Sequence, residues 1–210
     1  MQKISFCERY MLTTAVLKRF KTNTRRLEKE LENLEEGNFC FSRHKNGILL
    51  YGEKGSVIET IKTRYKIGEI VAVAQSYEDI YHHGGPEYGS YELVNNYRRL
   101  HIRPWKDITQ QAGWLNKMFV RPDLMPHQIQ ITDINIERLQ DITDDDCLKE
   151  GIEYSKYERN WFYTNDKNTE FHAPTPREAF AALINRPGVG RKGLWEENPF
   201  VVVYSFKLLK

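Results

Sequence analysis

The feature that most constrains this chain is a run of isoleucines separated by polar residues, at positions 129, 131, 134 and 136. Alternation of this kind buries one face of a segment and exposes the other, so residues 128–136 predict a half-buried β-strand. Short apolar runs between turn residues predict further strands, at 3–7, 68–74 and 200–208, and a hairpin over 38–52. Strands and helices do not alternate regularly, so a doubly wound parallel sheet is disfavoured. We therefore predict an α+β fold, a small and mostly antiparallel β-barrel decorated with helices and insertions.

Helices are predicted from apolar spacing and from end signals. Apolar residues recur every three or four positions over 10–20, and leucines recur among charged residues over 25–37, which predicts a surface helix there. Thr143 precedes three aspartates, the pattern of a helix N-cap with acids in the first turn. Thr175 is followed by proline and, three residues on, by glutamate, which predicts a second capped helix.

Composition narrows the class of protein. The chain has 210 residues, 40% of them hydrophobic, and its formal net charge of +2 argues against a protein that coats nucleic acid by bulk electrostatics. No apolar run is long enough to span a bilayer, and the first residues lack the pattern of a signal peptide, so we expect a cytoplasmic protein that does not enter a membrane. Three widely spaced cysteines form neither a disulfide framework nor a CxxC metal site. The adjacent His82 and His83 lack spaced partners, so no metal is predicted.

Potential chemistry concentrates in the segment Lys-Thr-Asn-Thr-Arg-Arg at 21–26. A desolvated lysine acts as a base, a threonine beside a base acts as a nucleophile, and arginine binds anions. A plainer interpretation stays open: Thr24 is the N-cap of the charged helix, and Lys21 lies with Arg25 and Arg26 on a solvated face.

The same segment resembles the opening of the ASCH domain family, in which a strand and a helix precede Lys-Thr-x-Thr-x-Arg. Residues 68–71 resemble the turn and strand that have the pattern Gly-Asp-x-Leu in members of the family. Residues 131–151 resemble the central strand and acidic helix of phage and prophage members, and residues 198–207 resemble their terminal strand. These segments occur in the family's order, which makes the resemblance more specific than any one of them.

The resemblance implies a PUA-like β-barrel. We expect a single domain over residues 1–210, with an insertion or lid at about 77–125, and a barrel formed by residues 1–26, 38–76, 126–152 and 198–210. The chain departs from the family at Arg19, where members have a glycine.

One bacterial branch of the family is an amidohydrolase that removes the acetyl group from N(4)-acetylcytidine, and its catalytic residues match Lys21, Thr24 and Glu150 here. The resemblance implies a Thr24 nucleophile and a Lys21 base, with Glu150 as their partner and without a cofactor or metal. Arg25 and Arg26 are the candidate substrate-binding residues, Arg26 for the oxyanion and Arg25 for a phosphate or sugar hydroxyl.

The expected partner is accordingly a modified nucleoside or RNA. The alternative is a non-catalytic RNA- or nucleotide-binding module of the PUA-like type. A third option is a phage-related accessory protein that binds another protein through the segment Tyr77–Trp105. The oligomeric state does not follow from the sequence.

Overall fold

A computed structural model describes residues 1–31, 40–44, 47–51, 57–83, 110–164 and 170–209. Strands and helices are mixed along the chain, as the α+β prediction requires. In chain order the elements are β1 (Gln2–Ile4), α1 (Leu12–Leu17), β2 (Asn23–Arg26), β3 (Cys40–His44), β4 (Gly47–Tyr51), β5 (Val57–Ile61), β6 (Ile70–Val73), α2 (Tyr77–His83), β7 (Gln128–Arg138), α3 (Asp144–Lys149), β8 (Glu153–Ser155), β9 (Asn160–Thr164), β10 (Glu170–Ala173), α4 (Pro176–Ile184), α5 (Leu194–Glu197) and β11 (Phe200–Leu208).

The chain divides into two compact units. The first consists of Met1–Phe6, Ile70–Ile129 and Leu208–Lys210. In it β1 runs parallel to β6, and the Val73 N–H donates to the His127 carbonyl at 3.0 Å. Its core includes the buried side chains of Ala72, Ala74, Tyr77, Ile80, Val120, Leu124 and Met125.

The second unit, Cys7–Glu69 with Gln130–Lys207, contains every candidate site residue. Here β7 lies beside β11, and β11 pairs with β2 in antiparallel register, with Tyr204 opposite Thr24. Two antiparallel sheets of three strands, β3-β4-β5 and β10-β9-β8, complete its described strands.

Strand β7 confirms the predicted central strand and extends it to Arg138. Ile129 and Ile131 are fully buried, and Ile134 and Ile136 are nearly so. The alternation shifts by one residue at Thr132-Asp133, where two polar residues follow each other. The predicted hairpin over 38–52 is also present as β3 and β4, and its turn residues lie outside the described part of the chain.

The predicted helix over 25–37 is wrong in its first part. Residues Asn23–Arg26 form strand β2, and Lys29–Leu31 form a short 3-10 turn. Backbone pairing with β11 and the burial of this segment outweigh a helical spacing of leucines, because local propensity is a weak preference that tertiary contacts override. The helix-cap interpretation of Thr24 fails with that helix. Residues 32–39 lie outside the described residues.

A segment that the sequence left irregular, 154–172, contains strands β8, β9 and β10. Aromatic side chains meet across these strands, as Tyr154 does with Trp161 and Tyr163 with Phe171. Such cross-strand pairs stabilise a sheet without a clear period-two pattern.

Other predictions about architecture stay predictions. The described strands form no closed barrel, so the PUA-like barrel is not established. Of the predicted insertion at 77–125, the structure describes α2 and residues 110–125, and residues 84–109 lie outside it. Across the described residues, no helix combines the length and apolar character that a membrane span needs.

Helix α3 follows its end signals closely. The Thr143 hydroxyl accepts a hydrogen bond from the Asp146 N–H at 3.2 Å, which caps the helix as predicted. The helix ends at Lys149 with Glu150 as its C-cap, and Gly151 follows with φ of 100°, a conformation that glycine adopts without steric cost. The Thr143 cap and Gly151 set the length of α3 and place Glu150 at its C-terminal end.

The N-cap gives a direct test of this helix. We expect Thr143→Ala to lower the free energy of unfolding by about 0.5–2 kcal/mol, because the Asp146 N–H loses its acceptor. Thr143→Ser keeps the hydroxyl and is the matched control, with a loss of less than half that of the alanine variant. Urea unfolding of the three proteins measures both values, and equal losses in the two variants would show that the cap contributes nothing.

Candidate active site

The backbone before β2 is held between two other elements. After α1 the chain turns at Arg19, and the Lys21 N–H donates to the Ala15 carbonyl at 3.0 Å. The Thr22 N–H then donates to the Lys149 carbonyl, and the Thr22 carbonyl accepts from the Phe206 N–H, both at 2.8 Å. Lys21 is therefore placed beside the carbonyl end of α3.

The side chain of Lys21 is buried against Glu150. Only 3% of Lys21 and 4% of Glu150 is exposed. The Lys21 ammonium forms an ion pair with the Glu150 carboxylate and also donates to the Glu150 backbone carbonyl at 2.9 Å. A cation at the carbonyl end of a helix is favourable, so α3 contributes to holding this ammonium.

Arg25 extends this pair into a chain of charges. Its Nη1 donates to Glu150 Oε1 at 3.0 Å, while its Nε and Nη2 both donate to Glu137 Oε1, at 2.9 and 2.7 Å. The Asp146 carboxylate lies 3.6 Å from Arg25 Nη2. We call the sequence Lys21–Glu150–Arg25–Glu137 the ion-pair chain. In it the Glu150 carboxylate is shared by two cations.

Burial and neighbouring charges act on these groups in different directions. Burial lowers the pKa of Lys21, and the attraction of Glu150 offsets only part of that effect, while the positive charges of Arg26 and Arg25 add to the lowering. Burial also disfavours the Arg25 cation, but Glu150 and Glu137 outweigh it and raise the pKa of Arg25. Lys21 is thus the member of the chain that loses its proton more readily than usual.

Thr24 and Arg26 lie on the same strand as Arg25. Thr24 is 4% exposed. Successive residues of a strand project to opposite faces, so Thr24 and Arg26 leave β2 on the face opposite to Arg25. Burial lowers the pKa of Arg26, against the attraction of Tyr65 and Glu150. Among the described residues we find no hydrogen bond between the Lys21 ammonium and the Thr24 hydroxyl.

The structure therefore brings Lys21 and Arg25 into direct contact with Glu150, and Thr24 lies next to Arg25 in strand β2. Arg25 was predicted to meet a substrate phosphate or sugar. Its side chain is 1% exposed and binds carboxylates of the protein itself, and its substrate contact stays a prediction.

Glu137 is a site residue that the sequence did not indicate. It ends the isoleucine-rich part of β7, where a polar residue reads as an ordinary solvent-facing position. Its partner Arg25 lies 112 residues away, a pairing without a local signal.

A competing nucleophile beside the ion-pair chain can be set aside. Burial raises the pKa of Cys147, in α3, to about 12, so its thiol keeps its proton near neutral pH and is a poor nucleophile. In the described part of the chain, no group of three or more histidine, cysteine, aspartate or glutamate side chains is arranged to hold a metal ion.

Comparison of the chain with protein-family models, with curated proteins and with solved structures finds no match.

The shared carboxylate predicts a large cost for its removal. We expect Glu150→Gln to lower the free energy of unfolding by about 3–5 kcal/mol, because Lys21 and part of Arg25 would remain buried without their counter-charge. The matched control is Asp145→Asn, an exposed acid on the same helix, for which we expect less than about 1 kcal/mol. Chemical denaturation at neutral pH measures both, and similar small losses would show that the pair contributes little to folding.

Proposed function

We propose that this protein is an amidohydrolase of the ASCH type that acts on an acylated nucleoside or a similar small amide, with Thr24 as nucleophile and Lys21 as base. The observation that carries the proposal is the buried contact between Lys21 and Glu150, which are 129 residues apart in sequence. These are two of the three positions that the family resemblance names as catalytic. A buried amine with a lowered pKa is the state that a lysine base requires.

The conformation of Arg19 also supports the resemblance. The family has a glycine two residues before its lysine, and Arg19 here has φ of 65°, in the left-handed region. Glycine adopts that region without steric cost and other residues adopt it rarely. This chain therefore keeps the backbone turn that a glycine would favour, although the side chain differs.

The proposed reaction proceeds through an acyl-enzyme. The Thr24 hydroxyl oxygen attacks the acyl carbonyl carbon while its proton passes to the neutral Lys21 amine. The Arg26 guanidinium or backbone N–H groups stabilise the oxyanion. The carbon–nitrogen bond then breaks, and the leaving amine takes the proton from Lys21. Water hydrolyses the threonine ester, which restores the hydroxyl and releases the carboxylic acid.

We also propose that a PUA-like barrel carries this site and that the protein resides in the cytoplasm. The competing proposal is a non-catalytic RNA- or nucleotide-binding module with Lys21, Arg25 and Arg26 as phosphate contacts. The burial of Lys21 and Arg25, and their pairing with carboxylates, weigh against that role, because phosphate contacts need exposed positive charge.

Hydrolysis of N(4)-acetylcytidine tests the proposal directly. We expect the protein to release cytidine and acetate, measured by chromatography of the nucleosides. Thr24→Val should lower kcat/KM by about a thousandfold or more, since it removes the nucleophile and keeps the shape. Lys21→Met should lower it by about 100- to 10,000-fold, since it removes the base.

The matched control is Thr22→Ala, which lies in the same segment and holds its neighbours through its backbone. We expect this variant to hydrolyse at the wild-type rate. Full activity in Thr24→Val would exclude the threonine as nucleophile even with hydrolysis observed. Absence of turnover together with salt-sensitive RNA binding would favour the binding module.

The pH dependence of the reaction reports on Lys21. A base must be unprotonated, so kcat/KM should rise with pH through the pKa of Lys21 in the free enzyme. Because burial lowers that pKa, the midpoint should lie below the ordinary lysine value of 10.5. A kcat/KM that does not change with pH below 10.5 would contradict the assignment of Lys21 as base.

A further inference from the structure

The Arg25 guanidinium binds two carboxylates with different atoms. Its Nη1 donates to Glu150 Oε1 at 3.0 Å, and its Nε and Nη2 donate to Glu137 Oε1 at 2.9 and 2.7 Å. The other Glu150 oxygen, Oε2, holds the Lys21 ammonium. Glu150 thus divides its charge between two cations, and Glu137 is the acid that supplies Arg25 with a second counter-charge.

This arrangement makes the Lys21–Glu150 contact depend on Glu137. With Glu137 charged, Arg25 is neutralised from one side, and Glu150 remains available to the ammonium. Without that charge, Arg25 draws on Glu150 alone, and the ammonium loses part of its attraction. The effect is strong because Arg25 has 1% and Glu150 5% of the side chain exposed, so solvent hardly screens them.

We propose that Glu137 is a positioning residue of this site, which acts through Arg25 and Glu150 to set how firmly the Lys21 ammonium is held. The inference rests on the proposed hydrolase for its catalytic meaning. The interaction between Glu137 and Lys21 is a property of the folded protein and does not require a substrate.

Charged groups from several elements surround Lys21 and Arg25 in the described part of the chain. Strand β2, the end of β7 and helix α3 all contribute. Among the described residues, Glu150, Glu137, Asp146 and Arg26 act on Lys21 or Arg25, and Lys21 and Arg25 act on each other. Glu137 is the acid with two hydrogen bonds from Arg25, and Asp146 lies farther away at 3.6 Å. Of the acids that contact Arg25 besides Glu150, Glu137 is therefore the one whose neutralisation most strengthens the attraction between Arg25 and Glu150.

The expected sign follows from these charges. Glu137→Gln removes a negative charge and leaves Arg25 to compete with Lys21 for Glu150, so the pKa of Lys21 should fall, by about 0.5–1 unit. Arg25→Gln removes a positive charge and leaves Glu150 to Lys21, so the pKa of Lys21 should rise. A merely structural role for Glu137 and Arg25 would not produce opposite shifts.

The experiment is a pH titration of the full chain with lysine labelled at ¹³Cε, followed by NMR. The Lys21 resonance is identified by its absence in Lys21→Arg. Glu137→Gln and Arg25→Gln are compared with Asp145→Asn, which removes the same charge as Glu137→Gln from an exposed position on α3 and should leave the Lys21 titration in place.

Opposite displacements of the Lys21 titration in the two variants would establish the coupling. An unchanged titration, or displacements of the same sign in both, would overturn it. Should Glu137→Gln fail to fold, Arg25→Gln still tests the link through which Glu137 acts: a rise in the pKa of Lys21 supports it, and an unchanged or lowered pKa overturns the proposal.

Hydrolysis of N(4)-acetylcytidine by Glu137→Gln gives the catalytic readout. With a lower pKa, more of the Lys21 amine is unprotonated below the wild-type midpoint, but that amine is a weaker base. The kcat/KM of this variant should therefore be about 2- to 3-fold higher than wild type below the midpoint and lower above it. A loss by the same factor at every pH would overturn the positioning role. Displaced titration in a protein that hydrolyses nothing would retain the coupling and reject the proposed function, so the two failures are distinguishable.

Discussion

The contact on which the second unit depends is the buried ion pair of Lys21 and Glu150. Charges removed from water are tolerated only when each is paired and its hydrogen bonds are satisfied. Lys21 meets that requirement with the carboxylate and the backbone carbonyl of Glu150. The pair joins the start of β2 to the end of α3, and the Thr22 backbone continues the junction to Lys149 and to Phe206 of β11.

The remainder of the ion-pair chain follows from the same requirement. One carboxylate cannot compensate two buried cations, and Glu137 supplies the second negative charge at Arg25. Replacing such a network by apolar residues often costs no stability, so a contribution to folding stability does not by itself explain why the network is present. General-base chemistry needs a lysine with a lowered pKa in a fixed position. Here Lys21 is buried against Glu150, and Arg25 binds the same carboxylate.

Several elements were predictable because their determinants are local. Helix α3 follows from the Thr143 cap and Gly151, strand β7 from its isoleucines, and the β3–β4 hairpin from its turn residues. The first part of the helix predicted over 25–37 was wrong because residues 23–26 pair with β11 as strand β2, and the leucine spacing that predicted the helix does not outweigh that pairing. Strands β8 to β10 were missed because their aromatic pairs form between strands and leave no period along any one strand.

The sequence by itself determined which residues are candidates for chemistry: the lysine, threonine and arginines of 21–26, and Glu150 just after α3. The side-chain types of one segment indicate the first group, and the resemblance to the ASCH family indicates Glu150. Only the tertiary structure decided that Lys21 contacts Glu150, that Arg25 faces protein carboxylates, and that Glu137 belongs to the site. These pairings join residues more than a hundred positions apart, and burial, which gives them their strength, exists only after the chain has folded.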